Sequence, residues 1–377
     1  MNPCKTGFIV HDVHADPVRT RRRMLAKATG LKKAVVAASP PWIAHNVLLP
    51  NFVSVKDLRM GEATGIQSEV AGPASMVFWA VPYDPQQIKA REPQAIEAIF
   101  QGGKLCGNEG ARIIGLGAST AIIGNRGVDV AKRLNAEGIW VTTGNTYTAV
   151  SAVQGILSVA AEVGYDLSDC TAAVIGATGS TGGLAARLLA PQVNRLLLVG
   201  TSRDRAGQIA QRIGYGARPE SLEAAIKEAQ LIITVSSATT GLAIEPGWFK
   251  PAAIVCDVAR PRDVALKVAN ARKDVLVFDG AIIKIPGANL NIDFDFGFPS
   301  GTTYACMAET MILGLEGYEG NFSIGTQLDF DRAQQMRDWA LVHNFELAGY
   351  RSFDAELNPS VIDRFREHIS AGRRMHV

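Results

Sequence analysis

The sequence has no long apolar run, no excess of charge of one sign and no paired cysteines. No stretch of about 18 consecutive apolar residues occurs, so we expect no membrane-spanning helix. The 38 basic and 36 acidic side chains leave a net charge of +2, which gives no general attraction for nucleic acid. The five cysteines form neither a CxxC pair nor the spacing of a metal site, which indicates a reducing compartment. We therefore expect a cytoplasmic protein without a disulfide framework.

Two features near the N-terminus suggest sites that the surrounding residues do not support. The segment Thr20–Leu25 resembles a twin-arginine export signal, but Lys32 and Lys33 interrupt the apolar run that should follow. The pattern favours a solvated basic helix face, with a docking patch for an acidic partner as the alternative. Four possible metal ligands lie nearby without further ligands at a suitable spacing, and we expect no metal there. These four residues are His11, Asp12, His14 and Asp16.

The length and composition are those of a globular protein with two or three domains. The 377 residues correspond to that number at roughly 150 residues per domain, and 47% apolar residues exclude bulk disorder. Alternating apolar runs and helical patterns predict an α/β fold, and the pattern beyond residue 300 is helical. The predicted strands are Val35–Ala38, Met76–Val81, Arg112–Leu116, Gly138–Val141, Thr171–Ile175, Arg195–Val199, Leu231–Val235, Ala253–Asp257 and Val275–Phe278. The predicted helices are Gln86–Phe100, Val128–Ala136, Leu184–Leu189, Arg203–Ile213, Ser221–Ala229, Thr303–Gly317, Phe330–His343 and Ser360–Ser370.

A glycine-rich loop between a predicted strand and a predicted helix indicates a dinucleotide site. It consists of Gly176, Ala177, Thr178, Gly179, Ser180, Thr181 and Gly182. Glycine allows the backbone to approach a pyrophosphate, and the N-terminus of the following helix offers N–H groups and a positive dipole end to the phosphates. The hydroxyl groups of the loop could add further donors. The alternative is a packing turn, but the order of strand, turn and helix favours the cofactor.

The residues after the second strand of this unit favour NADP(H) over NAD(H). An NAD-binding protein would place Asp or Glu at this strand end to bind the ribose hydroxyls. Here Thr201, Ser202 and Arg203 follow Val199 and Gly200, and they can bind a 2′-phosphate. Asp204 is the nearest carboxylate, and it would be close only if the strand ended later than predicted.

The absence of two other standard arrangements leaves a nucleophilic cysteine as one candidate for the reacting group, although a free cysteine is more often a packing residue. None of the seven tyrosines is followed by lysine four residues later, and the GxSxG and HExxH motifs are absent. Cys306 lies just after Gly301 and two threonines, Thr302 and Thr303, either of which could cap a helix. A helix N-terminus would lower the pKa of a Cys306 thiol, and Glu309 one turn later would oppose that effect. Cys106, in a predicted loop, is the alternative nucleophile, and simple core packing is the alternative for either thiol.

Several segments together resemble the long-chain acyl-[acyl-carrier-protein] reductases. They are Leu116–Ile123, Thr142–Ala149, Val174–Gly179, Ala305–Met311, Glu316–Gly317 and Asn321–Ser323. The resemblance covers roughly residues 110 to 347 and is looser from 35 to 90. It implies an α/β fold with a Rossmann-type doubly wound parallel sheet, an N-terminal α/β substrate-binding domain over 1–150, an NADP-binding domain over 151–295, and a helical C-terminal segment over 296–377 that carries Cys306.

The resemblance also implies a function, namely the NADPH-dependent reduction of a fatty acyl thioester to a fatty aldehyde. By motif position, Cys306 would carry the acyl group as a thioester. Ser119, Thr120 and Asn145, with the N–H groups at the start of the Cys306 helix, are candidates to stabilise the oxyanion. The expected partners are an acyl carrier protein or acyl-CoA, with an aldehyde-consuming enzyme and self-association as further expectations.

Two other functions fit the same pattern. The Thr-Gly-Asn-Thr stretch before a dinucleotide unit also resembles two-domain NADP dehydrogenases of the shikimate or methylene-tetrahydrofolate type, which would not need Cys306. The second is a non-catalytic NADP(H)-sensing module, which would bind the cofactor without turning over an acyl thioester.

Overall fold

The computed structural model describes residues 4–11, 39, 51, 53–238, 241–293 and 299–374. The predicted strand Val35–Ala38, the basic segment Thr20–Leu25 and His14 lie outside these residues. The chain divides into two compact units. Unit 1 comprises Met1–Asn145, Lys284–Thr326 and Asp338–Glu346, and unit 2 comprises Thr146–Ile283, Gln327–Arg337 and Leu347–Val377.

The described residues form the following elements. The strands are β1 (Cys4–Val10), β2 (Arg59–Ser68), β3 (Gly72–Ala80), β4 (Ile113–Leu116), β5 (Trp140–Thr142), β6 (Thr171–Ile175), β7 (Arg195–Val199), β8 (Arg218–Pro219), β9 (Leu231–Thr234), β10 (Ile254–Asp257), β11 (Leu276–Asp279), β12 (Ile282–Lys284), β13 (Asn291–Ile292), β14 (Thr302–Tyr304), β15 (Glu346–Leu347), β16 (Arg351–Ser352) and β17 (Ala355–Glu356). The helices are α1 (Pro85–Ala90), α2 (Glu92–Asn108), α3 (Ile123–Arg126), α4 (Val128–Asn135), α5 (Asn145–Val163), α6 (Ser180–Leu189), α7 (Arg203–Ile213), α8 (Leu222–Glu228), α9 (Leu266–Ala271), α10 (Ala305–Leu315), α11 (Phe330–Val342) and α12 (Pro359–Arg374). No helix among these residues is both long and apolar enough to span a membrane.

Unit 1 contains a mixed six-stranded sheet in the order β13-β2-β3-β1-β4-β5. The pairs β3–β1, β1–β4 and β4–β5 are parallel, whereas β2 and β13 are antiparallel to their neighbours. Phe8, Ile9 and the apolar run of β3 are fully or almost fully buried, as expected for strands covered on both faces. The parallel half of the sheet brings the carboxyl ends of β1, β4 and β5 to one edge.

Unit 2 contains a six-stranded sheet in the order β11-β10-β9-β6-β7-β8, and all of its strand pairs are parallel. The first strand of this unit, β6, lies in the middle, the next two follow on one side and the last three on the other. This is the doubly wound order, in which the strand order reverses between β6 and β9. The predicted α/β class with a Rossmann-type parallel sheet is therefore confirmed.

The strand predictions are accurate for strands made of a continuous apolar run and fail where a strand is short or contains polar residues. The predicted bounds of β6 and β7 are those of the structure. The sequence pattern missed β1, which begins with polar residues, and β8, which is two residues long. The predicted helix Gln86–Phe100 is two helices, because α1 ends at Ala90 and α2 begins again with a proline in its first turn.

The predicted C-terminal segment is shared between the two units rather than forming a third one. Residues 284–326 belong to unit 1, because α10 packs against β1, β3 and β4 there. Residues 347–377 belong to unit 2. Cys306 is thus part of the N-terminal unit in space, although it lies far from that unit in sequence. The roles predicted for the three segments, including substrate binding by residues 1–150, stay predictions.

Candidate active site

The carboxyl ends of three parallel strands and the start of α10 come together in unit 1. His11 follows β1, a single 3₁₀ turn over Ala118–Ala121 follows β4, and Thr143–Asn145 follow β5. The register pairs Ile9 with Leu116 across β1 and β4, so these strands end side by side. In α/β sheets, ligands bind in the crevice outside such strand ends. Two of the sequence-predicted catalytic residues, Ser119 and Asn145, lie in these loops.

Cys306 is the second residue of α10 and lies against the backbone of the turn after β5. A methyl group at Gly144 would lie 2.2 Å from the Cβ atom of Cys306, and Gly144 has a φ of +72°. A methyl group at Gly117 would lie 3.9 Å from the Cys306 sulfur and 2.7 Å from the Phe8 ring. Glycine at both positions therefore lets the two loops close around a half-buried Cys306. The structure brings Cys306 together with the Ser119 and Asn145 loops.

The helix start and Glu309 act on the thiol pKa in the predicted directions, but burial, which the sequence did not predict, makes the net shift upward. Burial raises the pKa of Cys306 to about 12, and the Glu309 carboxylate raises it further, while the backbone N–H groups of Met307 and Cys306 act in the opposite direction. The desolvation of the sulfur outweighs the helix dipole. Cys306 is thus a protonated thiol at neutral pH. Neither threonine caps the helix, because Thr303 Oγ1 contacts Met307 Sδ and Tyr304 occupies the cap position without a side-chain hydrogen bond.

A buried polar network connects α10 to the turn after β5. Glu309 is fully buried, and its Oε1 atom accepts hydrogen bonds from Thr142 Oγ1 and, at 2.6 Å, from Ser323 Oγ. Thr142 Oγ1 in turn accepts from the N–H groups of Ser323 at 3.3 Å and Gly144 at 3.4 Å. Thr143 Oγ1 donates to the carbonyl oxygen of Ser323. The sequence marked Glu309 for its charge only and gave no sign that Ser323 and Thr142 would meet it.

Ser119 lies beside His11, which the sequence analysis considered only as a possible metal ligand. The Ser119 N–H donates to Nε2 of His11 at 2.9 Å, and both residues are buried. Nε2 is thus the acceptor nitrogen of this contact. Thr120 Oγ1 donates to the carbonyl oxygen of Gly117 at 2.8 Å, so this hydroxyl is engaged in the turn.

Cys106 and Cys256 are core residues. Cys106 lies in helix α2 and is fully buried, which corrects its prediction as a loop residue and removes it as an exposed nucleophile. Cys256 lies fully buried in β10. Burial raises the pKa of both thiols strongly. Among the residues that the structure describes, no group of three His, Cys, Asp or Glu side chains could hold a metal ion.

In unit 2, the glycine-rich loop joins β6 to α6 at the point where the strand order reverses. Gly176 has a φ of +93°, and a methyl group there would lie 2.6 Å from the carbonyl oxygen of Val235, just after β9. A methyl group at Gly182 would lie 2.3 Å from the carbonyl oxygen of Gly176. The two glycines therefore permit the tight turn and the close approach of α6, which leaves its N-terminal N–H groups at the crevice. Ala177, Ser180 and Thr181 are buried in this turn. The loop fits the pyrophosphate of a dinucleotide.

The residues that follow β7 are arranged partly as predicted. The strand ends at Val199, so no carboxylate stands at the strand end, and Asp204 lies in the first turn of α7. Ser202 Oγ accepts from the Arg205 N–H at 3.3 Å and is thereby the cap of α7. Thr201 and Arg203 are exposed, and an Arg203 guanidinium nitrogen lies 4.0 Å from Glu220.

The opposite wall of this crevice contains buried carboxylates that the sequence analysis did not identify. Asp263 accepts from the backbone N–H of Ser236 at 2.9 Å and also from the Ser236 hydroxyl. Asp257, at the end of β10, accepts from Thr234 Oγ1 at 3.0 Å. Burial raises the pKa of Asp263 to about 6, and the charge of Asp257 acts in the same direction. Ser236 lies next to Val235, so Asp263 fixes the backbone that faces Gly176.

Comparisons with known proteins find one matching family model and several distant relatives. A family model described as shikimate / quinate 5-dehydrogenase matches residues 158–279. The long-chain acyl-[acyl-carrier-protein] reductase of Synechococcus elongatus is 29% identical over 214 residues, which are 54% of this chain and 61% of that protein. The aminotransferase PigE of Serratia sp. is 28% identical over 281 residues, 70% of this chain and 30% of that protein. The glutamyl-tRNA reductase of Sorangium cellulosum is 29% identical over 197 residues, 50% of this chain and 35% of that protein.

The family model and the relatives support different statements about this chain. The matched parts span less than two thirds of each of these three relatives. The family model covers the sheet of unit 2 from β6 to β11. The chain therefore has an NAD(P)(H)-binding domain of the dehydrogenase type in unit 2 and a distant homology to the acyl-[acyl-carrier-protein] reductase.

Proposed function

We propose that this protein reduces a fatty acyl thioester, acyl-[acyl-carrier-protein] or acyl-CoA, to a fatty aldehyde with NADPH, through an acyl group held on Cys306. The observation that carries the proposal is the position of Cys306, at the start of α10 and against the glycine turn after β5. The similarity to the Synechococcus elongatus reductase supports the same substrate class.

Cys306 would act as the nucleophile. Its sulfur forms a bond with the thioester carbonyl carbon, the bond to the pantetheine sulfur breaks, and the thiol proton leaves with that sulfur. Because the acyl group then stays on the protein, the following reduction is unimolecular in the acyl group. Collapse of the reduced adduct breaks its carbon–sulfur bond and releases the aldehyde, and a proton from solvent restores the Cys306 thiol. The raised pKa of Cys306 means that deprotonation has to accompany substrate binding.

The oxyanion formed in each step needs hydrogen-bond donors near the sulfur. The N–H groups of Cys306 and Met307 already interact with the sulfur. The side chains of Ser119 and Asn145 are the further candidates from the two adjacent loops. The Ser119 N–H is engaged by His11, so the hydroxyl is the group that Ser119 would offer. Each such donor is typically worth about 3 kcal/mol.

The reductant would be held by unit 2. The loop from Gly176 to Gly182 would bind the pyrophosphate, and Thr201, Ser202 and Arg203 would bind the 2′-phosphate of NADPH. Because Ser202 Oγ caps α7, the strongest contribution is expected from the exposed guanidinium of Arg203. When bound, NADPH supplies the hydride that reduces the acyl carbon. Together with the absence of a carboxylate at the end of β7, these residues favour NADPH over NADH.

The partners follow from the substrate class. Acyl carrier protein or coenzyme A would deliver the acyl group, and an aldehyde-consuming enzyme would remove the reactive product. Such a reaction belongs in the cytoplasm, where acyl thioesters and NADPH are formed.

A product assay tests the proposal. The protein is incubated with acyl-CoA and acyl carrier protein thioesters of graded chain length and with NADPH or NADH, and aldehydes are identified by gas chromatography. We expect a fatty aldehyde, formed with one NADPH consumed per aldehyde. Consumption of NADPH without aldehyde, or no turnover at any chain length, would contradict the proposal.

The second candidate is a two-domain dehydrogenase of the shikimate type, favoured by the family model over residues 158–279. It predicts oxidation of shikimate or quinate with reduction of NADP⁺, and a Cys306→Ser variant that keeps full activity. Binding of NADPH without turnover of thioesters or of these alcohols would instead indicate a sensing module.

A further inference from the structure

The Glu309 side chain is the one charged group that acts on the Cys306 thiol among the residues the structure describes. It lies one helical turn after Cys306 on α10 and is fully buried. Two other titratable side chains are near this turn. Tyr304 precedes α10, and His11 follows β1, where its Nε2 accepts the Ser119 N–H.

Hydrogen bonds from two elements hold one oxygen of the Glu309 carboxyl group in place. Thr142 Oγ1 accepts from the N–H groups of Gly144 and Ser323, so its own proton is directed at Glu309 Oε1. Ser323 Oγ donates to the same oxygen at 2.6 Å. Two O–H donors that converge on one carboxylate oxygen favour the charged form of a buried carboxyl group.

The same contacts tie Glu309 to the wall of the Cys306 site. Thr142 ends β5, and Gly144 two residues later packs its backbone against the Cα and Cβ atoms of Cys306. Loss of the carboxylate would leave the Thr142 and Ser323 hydroxyls without their common acceptor. The turn that borders the sulfur would then lose its connection to α10.

We propose that Glu309 is a positioning residue with two effects on Cys306: its hydrogen bonds fix the turn after β5 against the sulfur, and its carboxyl group, one turn further along α10, disfavours negative charge on that sulfur. The inference rests on the proposed role of Cys306. A resting thiol is poorly reactive toward adventitious electrophiles and oxidants, since the thiolate is the reactive form. Binding of the acyl thioester would convert the resting Cys306 thiol to its reactive thiolate form.

Two variants separate the effects. Glu309→Gln keeps an acceptor oxygen for both hydroxyls and removes the charge, whereas Ser323→Ala keeps the charge and removes one hydrogen bond. The readout is the rate at which iodoacetamide alkylates Cys306, measured across pH by peptide mass spectrometry so that the other cysteines are distinguished. We expect Glu309→Gln to alkylate about tenfold faster at about pH 8, as for a thiol pKa lowered by one unit. Ser323→Ala should not alkylate faster, but should transfer the acyl group more slowly.

Glu309→Asp is a second variant that keeps the inference testable if the glutamine variant misfolds. It retains the charge on a shorter side chain. It should retain the slow alkylation of the wild type and lose acyl transfer. Alkylation profiles of Glu309→Gln and wild type that coincide, in a variant with wild-type thermal unfolding, would overturn the inference. Failure of the wild type to form an acyl adduct would instead overturn the proposed function, and the alkylation profiles would still decide the role of Glu309.

Discussion

The two candidate sites are built in opposite ways. The loop of unit 2 is one continuous segment, Gly176–Gly182. Its glycines have no side chains, and this leaves the backbone accessible to a ligand. The Cys306 site of unit 1 is assembled from distant parts of the chain, such as Thr142 and Ser323, which lie 181 positions apart, and it contains a buried carboxylate with specific hydrogen-bond partners. Under the proposed function, the first design would bind the cofactor through backbone N–H groups, and the second would control the reactivity of one sulfur. Cofactor binding and acyl chemistry would then be separable properties of this chain.

Replacement of the proposed nucleophile should abolish the acyl chemistry of unit 1 and leave cofactor binding by unit 2 unchanged. We expect Cys306→Ser to lower aldehyde formation at least about a thousandfold, because no acyl group can be held as a thioester on the protein. NADPH affinity, measured by fluorescence titration, should stay that of the wild type. Cys4→Ser is the matched control, since Cys4 is a half-buried unit 1 cysteine whose sulfur donates to the Gly314 carbonyl oxygen, and it should keep full activity.

Unit 2 also has a buried carboxylate at a loop, and its effect should appear in stability rather than in thiol chemistry. The folded pKa of Asp263 is raised from 3.8 to about 6, so its favourable contribution is complete below about pH 4 and is lost as the pH rises through about 6. Relative to Asp263→Asn, the wild type should therefore lose about 3 kcal/mol of unfolding free energy over this range. Chemical unfolding of both proteins across that range tests this expectation. A difference in unfolding free energy between the two proteins that is independent of pH would show that the folded-state pKa of Asp263 is not raised.

The glycine design of unit 2 can be tested within one helix. A methyl group at Gly182 would lie 2.3 Å from the Gly176 carbonyl oxygen, whereas one at Gly183 would lie 3.4 Å from the Ala177 carbonyl oxygen. We expect Gly182→Ala to weaken NADPH binding at least about tenfold, because α6 can no longer approach the loop closely. Gly183→Ala should bind NADPH as the wild type does. Equal affinities of the two variants would contradict the close-approach account.

The smallest effect is expected at the end of β7. Arg203→Ala should raise the KM for NADPH by about tenfold and leave the KM for NADH unchanged, since a charge-assisted contact to the 2′-phosphate is lost. Arg205→Ala removes an equally exposed guanidinium in the same helical turn and serves as the control. An equal rise of both KM values for Arg203→Ala would exclude a phosphate-specific role.

The sequence predicts unit 2 well, because its determinants are local. The strands β6 and β7 are short apolar runs bounded by turns, and the glycine loop lies between a strand and a helix. The type and bounds of these strands, and the position of the loop, therefore follow from neighbouring residues. The carboxylate wall escaped prediction, because Asp263 meets Ser236 only when the parallel strands β9 and β10 bring their ends together.

Unit 1 is less predictable, because its determinants are distant in sequence. The strand β1 lies in the middle of the sheet, yet its first residues are polar. Cys306 could be selected by its motif and helix position, but its pKa could not. The burial that raises this pKa comes from the packing of loops around Gly117 and Gly144. No residue near Cys306 in sequence indicates that packing.

The central claim is that the acyl group passes through Cys306, and trapping of that adduct tests it most directly. The protein is mixed with a long-chain acyl-CoA in the absence of NADPH, digested, and analysed by peptide mass spectrometry. The account predicts an acyl mass on the peptide that contains Cys306, its loss after addition of NADPH, and its absence in Cys306→Ser. An unmodified Cys306 in a protein that nevertheless releases aldehyde would contradict the claim.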